Sequence, residues 1–330
     1  MGANGSSREN LNEITLLRCF AVISLVLHHV LCIYMADSWG AIDTPMNGYY
    51  SFIMGKFIPE ANMPLFVFIA GYLMGFQKEN KKYNDFRIFA KKKVHRLLIP
   101  YVILGALMVL LQPGIPDGWE GMLYGSPNHM WFCLMLFYCY ILYYVMNRYT
   151  KEWMHTAVAI VSLGLILKYH SMWHIYSDIH IIGGFEIAAY FYFWFWFGAC
   201  VYKTKDSLRS ISAIIFIGAM WVMMKGTIRE MAYVMFLLAV SIQIVRVWKM
   251  PEKVKNGLER IAKYSFGIYV FHHLILWDVI HVDIVSKYVL PLCETHYILT
   301  PIVMFIVAFG LSYILTGLSL QTKVGKYLLS

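Results

Sequence analysis

Long unbroken apolar runs, separated by short charged or turn-rich gaps, dictate most of what this chain can fold into. An α-helix needs about 20 apolar residues to cross roughly 30 Å of hydrocarbon at about 1.5 Å per residue. Apolar residues make up 59% of the 330 positions and charged residues 14%. A soluble domain of this size needs a charged surface as well as a core, and here the charges are bunched rather than interspersed. A membrane β-barrel would show short alternating segments instead of continuous runs. The expectation is an all-α, polytopic membrane protein.

Ten spans are expected, over 13–34, 50–76, 97–112, 130–147, 155–168, 184–202, 210–224, 231–246, 265–282 and 297–320. With the N-terminus placed in the cytoplasm, the inner segments collect 22 of the 28 Lys and Arg residues. That bias predicts both termini inside, with short tails at 1–12 and 321–330 flanking one transmembrane domain over 1–330. The net charge of +9 is then membrane topology and not a nucleic-acid surface. The six cysteines show no metal-type spacing, so they read as buried small residues. The gaps 113–129 and 169–183 mix aromatics with His, Asp and turn residues. They suit a sugar-binding surface or an ordinary interfacial Trp/Tyr belt equally well.

The first span holds Arg18, His28 and His29. Ionisable groups at that depth are costly, and a functional reading is the default. Eleven residues separate Arg18 from His29, about three helical turns, so the two share one face some 16 Å apart. His28 is rotated about 100° away from it. A guanidinium near the inner mouth can hold phosphate oxygens by its planar fork. A neutral imidazole further along can take a proton from an attacking hydroxyl. The bland alternative is that Arg18 snorkels to headgroups and the histidines bond neighbouring helices.

Five stretches together resemble the acyltransferase 3 family of membrane acyltransferases. Arg18 and His29 match its first-helix Arg, ten residues, His. Asn62-Met63-Pro64-Leu65-Phe66-Val67-Phe68-Ile69-Ala70-Gly71-Tyr72 is similar to the family's HMPLFFFISGY segment. Lys93-Val94-His95-Arg96-Leu97-Leu98-Ile99-Pro100-Tyr101 resembles its basic entry to the third helix. Met130-Trp131-Phe132-Cys133-Leu134 looks like LWFL, and Ser265-Phe266-Gly267-Ile268-Tyr269-Val270-Phe271-His272 like the late SxGIYLFH segment. The matches run in family order from residue 18 to 272. In two places the chain departs: Asn62 stands for the usual His and Ala70 for the usual Ser. An Asn can hydrogen-bond a hydroxyl but cannot act as a base.

The resemblance implies transfer of an acyl group, most often acetyl, from cytoplasmic acyl-coenzyme A to a hydroxyl of an exported or lipid-linked glycan. It implies a multi-pass protein of the cell membrane, the inner membrane in a bacterium, with no permanently bound cofactor and no metal. The donor is acetyl-CoA or another acyl-CoA. Its phosphates are expected at Arg18, Lys93 and Arg96, within a basic cluster that includes Lys91 and Lys92 and is also the strongest positive-inside segment. His29 is expected to be the general base, or to carry the acyl group as an intermediate. Asn62, Glu60, Glu186 and His272 are candidates for contact with the acceptor. Glu60 alternatively pairs with Lys56, and His272 alternatively makes an interhelical hydrogen bond. A transporter or flippase for a lipid-linked sugar would also carry intramembrane charge, but more often with paired repeats, which the sequence does not show. A non-catalytic scaffold would leave the alignment of Arg18 with His29 without a purpose.

Overall fold

The computed structural model describes residues 3–35, 42–57, 62–79, 85–111, 118–125 and 128–329. Among them there is no strand. In hydrocarbon every backbone N–H and C=O must be paired within its own segment, and the helix does this. We label the principal helices α1 Ala3–Cys32, α2 Asn47–Phe57, α3 Asn62–Glu79, α4 Phe86–Leu111, α5 Trp131–Tyr149, α6 Glu152–Tyr169 and α7 Phe185–Thr204. They continue with α8 Ile211–Met223, α9 Gly226–Val247, α10 Glu252–His281, α11 Asp283–Thr295 and α12 Thr300–Ser319.

Four segments of the described residues cross a membrane by length and apolarity alone: Glu13–Cys32, α4, α9 and α12. The pair α10 and α11, joined at a bend of 87°, is apolar enough to form either a broken span or a re-entrant loop. Helices α5 and α7 fall short of that criterion because Tyr and Trp replace aliphatic residues. They do not need lipid on all sides, since α7 buries Tyr190, Phe191, Tyr192, Phe193, Trp194 and Phe195 in succession. The chain is a helical membrane protein.

Most expected spans coincide with a helix to within a few residues, while the helices at 13–34, 97–112 and 265–282 begin ten or more residues earlier. The span expected over 50–76 is described in two stretches, α2 and α3. Residues 58–61 between them lie outside the described residues, and Pro64 falls in the first turn of α3, where its missing N–H costs nothing. The span expected over 265–282 begins at Glu252, because a charged stretch with helical period extends α10 toward its N-terminus. Residues 321–330, read as a tail, contain the helix Lys323–Leu329, and α1 begins at Ala3, inside the stretch read as the other tail.

The chain packs as two compact units interleaved along the sequence. One holds the start of α1, most of α3 and α4, and α5 to α9. Within it α3 meets α7 through glycines. A methyl group on Gly71 would fall on the carbonyl oxygen of Phe195, and one on Gly198 on the carbonyl oxygen of Phe68. Gly71 and Gly75 form the small-xxx-small pattern that lets helix backbones touch in a membrane. Asp85 caps α4 by accepting the N–H groups of Arg87 and Ile88, and a π-helical turn over Val94–Leu98 interrupts it.

The other unit holds α1 from Arg18 onward, α2, α10, α11 and α12. Here α1 and α10 run parallel. The Cys19 thiol reaches the Leu258 carbonyl at 3.1 Å, and ten residues later His29 reaches His272. Tyr34 donates to Thr300 at 3.0 Å, fixing the end of α1 to the start of α12. Gly267 on α10 leaves room for the Thr316 side chain of α12.

Candidate active site

Two His-His pairs meet in the unit that contains α10. His28 and His29 lie in the last turn of α1, and His272 and His273 lie in the second half of α10. The ring of His29 is 5.0 Å from that of His272 and 5.4 Å from that of His273, centroid to centroid. His272 is fully buried and His273 nearly so, while His28 and His29 are half-buried. From His273 the rings of Trp277 and His281 continue a stack along α10, the last two 3.9 Å apart and nearly parallel.

Hydrogen bonds assign the tautomers. The Nδ1 of His272 lies 2.9 Å from the carbonyl oxygen of Ile268, one turn back on its own helix, so that nitrogen is the donor. In the neutral ring its Nε2 is then an acceptor, and it sits 3.1 Å from Nδ1 of His29. His29 Nδ1 also lies 3.1 Å from the carbonyl oxygen of Leu25. A nitrogen that faces two acceptors carries the proton, which leaves the lone pair of neutral His29 on Nε2.

Below the histidines, Ser24 and Asn62 hold each other. The Ser24 hydroxyl donates to Asn62 Oδ1 at 2.8 Å, and the Asn62 amide reaches back to the Ser24 carbonyl at 3.5 Å. Asn62 is buried, and its amide ties the first residue of α3 to α1. Arg18, three turns before His29, is half-buried in the same unit as the four histidines.

The other described candidates, Lys93, Arg96 and Glu186, belong to the other unit. Lys93 and Arg96 belong to the unit of α3 to α9 and face apart. Lys93 is buried with its ammonium 3.3 Å from the ring centre of Tyr140 and 5.5 Å from that of Phe89, an aromatic cage for the charge. Arg96 is exposed beyond the start of the π turn, which changes the rotation per residue between the two. Glu186 is in the first turn of α7 and buried, with backbone groups of Ile181 and of Glu186 itself, and His180, near its carboxylate. Glu60, and the side chain of Lys56 with which it was expected to pair, lie outside the described residues.

Sequence reasoning missed the pair Glu13 and Tyr72, whereas the interhelical hydrogen bond weighed for His272 is made, to His29. Glu13, buried where the apolar part of α1 begins, accepts a hydrogen bond from the Tyr72 hydroxyl. A carboxylate five residues before Arg18 at the edge of an apolar run was a visible signal. So was the repetition of a His-His pair in two apolar runs, although nothing in one sequence says that the pairs touch. Among the described residues no group of three or more His, Cys, Asp or Glu is arranged to hold a metal ion.

No curated protein and no solved structure matches the chain. The acyltransferase domain of the acyltransferase 3 family does, over residues 11–317. That match takes in both His-His pairs, Arg18 and nearly the whole chain, and the chain belongs to the acyltransferase 3 family of membrane acyltransferases.

Proposed function

We propose that this protein transfers an acetyl or related acyl group from cytoplasmic acyl-coenzyme A to a hydroxyl of an exported or lipid-linked glycan. One observation carries the reading: His29 Nδ1 faces two acceptors at 3.1 Å, so the neutral ring offers its lone pair at Nε2. An imidazole in that state is a general base. In the proposed reaction Nε2 takes the proton of the acceptor hydroxyl as its oxygen attacks the thioester carbonyl carbon. The tetrahedral intermediate then collapses, the C–S bond breaks, and the imidazolium returns the proton to the departing thiolate. The products are an ester and the free thiol of coenzyme A, with the protein unchanged.

Arg18 suits the phosphates of the donor, since a guanidinium fork pairs with phosphate oxygens and the pantetheine arm would then follow α1 toward His29. Arg96 is the exposed cation proposed to assist, whereas the caged Lys93 serves the fold. Glu186 is proposed to accept a hydroxyl of the glycan. The arrangement belongs with ten spans and both termini in the cytoplasm of a cell membrane, the inner membrane in a bacterium.

The test uses purified, folded protein and labelled acetyl-CoA with a glycan acceptor. His29→Ala should lower turnover on the order of 10²–10⁴-fold while acetyl-CoA binding, read by thermal shift, survives. His28→Ala should act mainly on stability, because His28 lies off the face shared with Arg18. Near-normal turnover in His29→Ala would end the proposal. So would equal losses in both variants with folding intact.

A further inference from the structure

We infer that His272 is a positioning residue for the reaction. Through its Nε2 acceptor it holds His29 in the tautomer and orientation that present Nε2 to the acceptor hydroxyl, and it stabilises the imidazolium that forms. The inference rests on the reading of His29 as the base.

The geometry is a chain of three groups on two helices. The Ile268 carbonyl accepts from His272 Nδ1 at 2.9 Å, and His272 Nε2 accepts from His29 Nδ1 at 3.1 Å. Each link fixes the next. The carbonyl forces the proton of His272 onto Nδ1, which forces Nε2 to be bare, which favours a proton on Nδ1 of His29. The other tautomer of His29 would set its Nδ1 lone pair against both the Leu25 carbonyl and the His272 lone pair, losing two hydrogen bonds together. When His29 takes the acceptor proton, its Nδ1–H bond to His272 becomes charge-assisted and shortens in the state that needs it.

A fully buried imidazole also suits this place better than a carboxylate. His272 has no exposed surface, and a buried anion without paired charge carries a desolvation penalty of several kcal/mol. A neutral imidazole supplies the acceptor with no resting charge. The same burial, with both ring nitrogens engaged, removes His272 from direct contact with the acceptor.

The experiment compares His272→Leu, His272→Gln and His272→Asn in the full chain. Acetyl transfer from labelled acetyl-CoA is normalised to acetyl-CoA binding and to folded protein. A Gln oxygen reaches about where Nε2 lies, whereas an Asn oxygen reaches only about as far as Nδ1. We expect His272→Leu and His272→Asn to lose on the order of 10²–10⁴-fold in turnover, the scale set by a wrongly held catalytic histidine. His272→Gln should recover most of the loss, to within about tenfold of the unaltered protein. In ¹⁵N-histidine-labelled protein, a scalar coupling across the hydrogen bond should link His29 Nδ1 to His272 Nε2 and vanish in His272→Gln. Turnover of folded His272→Leu equal to that of the unaltered protein, with His29→Ala inactive, would overturn the positioning role and leave the base intact. Gln no better than Leu, or no coupling between the two rings, would also overturn it. An active His29→Ala would instead remove the base.

Discussion

At the scale of residues, the first helix was readable because its chemistry is local. Arg18 and His29 are placed by helical period alone, and period fixes their shared face before any packing is known. The partner of His29 was not readable, because His272 is 243 positions away and only packing brings it to 3.1 Å. The basic segment teaches the converse. Lys93 and Arg96 look alike in sequence, yet one is caged by Tyr140 and Phe89 and the other is exposed. Their substitutions should therefore separate. Arg96→Glu should weaken acetyl-CoA binding, with a smaller penalty as salt is added, because exposed charge–phosphate attraction is screened. Lys93→Met should leave donor affinity nearly unchanged and cost about 0.5–2 kcal/mol of stability from the lost cation–π contact. Arg18→Lys should weaken the donor as well, since an ammonium lacks the guanidinium fork. Isothermal binding of acetyl-CoA at two ionic strengths, beside thermal unfolding, checks all three. Equal loss of affinity in the Lys93 and Arg96 variants would refute the division.

At the scale of elements, hydropathy reports where helices lie but not what surrounds them. α12 exposes Ile302, Ile306 and Ile314, as a lipid-facing helix does, while α7 is aromatic and enclosed. The extension of α10 to Glu252 was hidden because its first turns are charged but still helical in period. Helix contacts were only half legible: Gly71-xxx-Gly75 announces a close approach without naming the partner. Since the partner is α7, the glycines can be ranked. Gly71→Ala and Gly198→Ala place a methyl group on backbone carbonyls, which cannot move as a side-chain tip can. Each should destabilise by about 1–3 kcal/mol or more. Gly75→Ala meets the Ala199 carbonyl oxygen at 2.9 Å and Tyr202 Cβ at 3.0 Å, a tight but smaller conflict, and should cost less. Gly164→Ala on α6 meets nothing within 4 Å and should be neutral or slightly stabilising, by up to about 1 kcal/mol. Thermal unfolding in one detergent gives the order directly. A Gly164 variant as damaged as the Gly71 variant would mean that these glycines act through helix propensity and not through contact.

For the whole molecule, orientation follows from charge and is independent of how the helices pack. With 22 of the 28 Lys and Arg residues on one side of the expected spans, the positive-inside bias predicts that this side is cytoplasmic. Two positions test it without disturbing the active site. Asp178 ends the short helix Met172–Asp178 and is exposed, and Asn256 is exposed near the start of α10. Of the native cysteines, Cys200 is half-buried and the other five are buried, so background labelling by a bulky thiol reagent should be low. In intact cells a membrane-impermeant maleimide should label Asp178→Cys and leave Asn256→Cys unmodified until the membrane is opened. The outcome bears on the chemistry too. With the N-terminus inside, Arg18 lies toward the cytoplasm, where the donor is made, and His29 lies some 16 Å further along α1, toward the side where an exported glycan is met. Labelling of Asn256→Cys in intact cells would invert the chain, put Arg18 on the side that lacks acyl-coenzyme A, and leave the donor without its entrance.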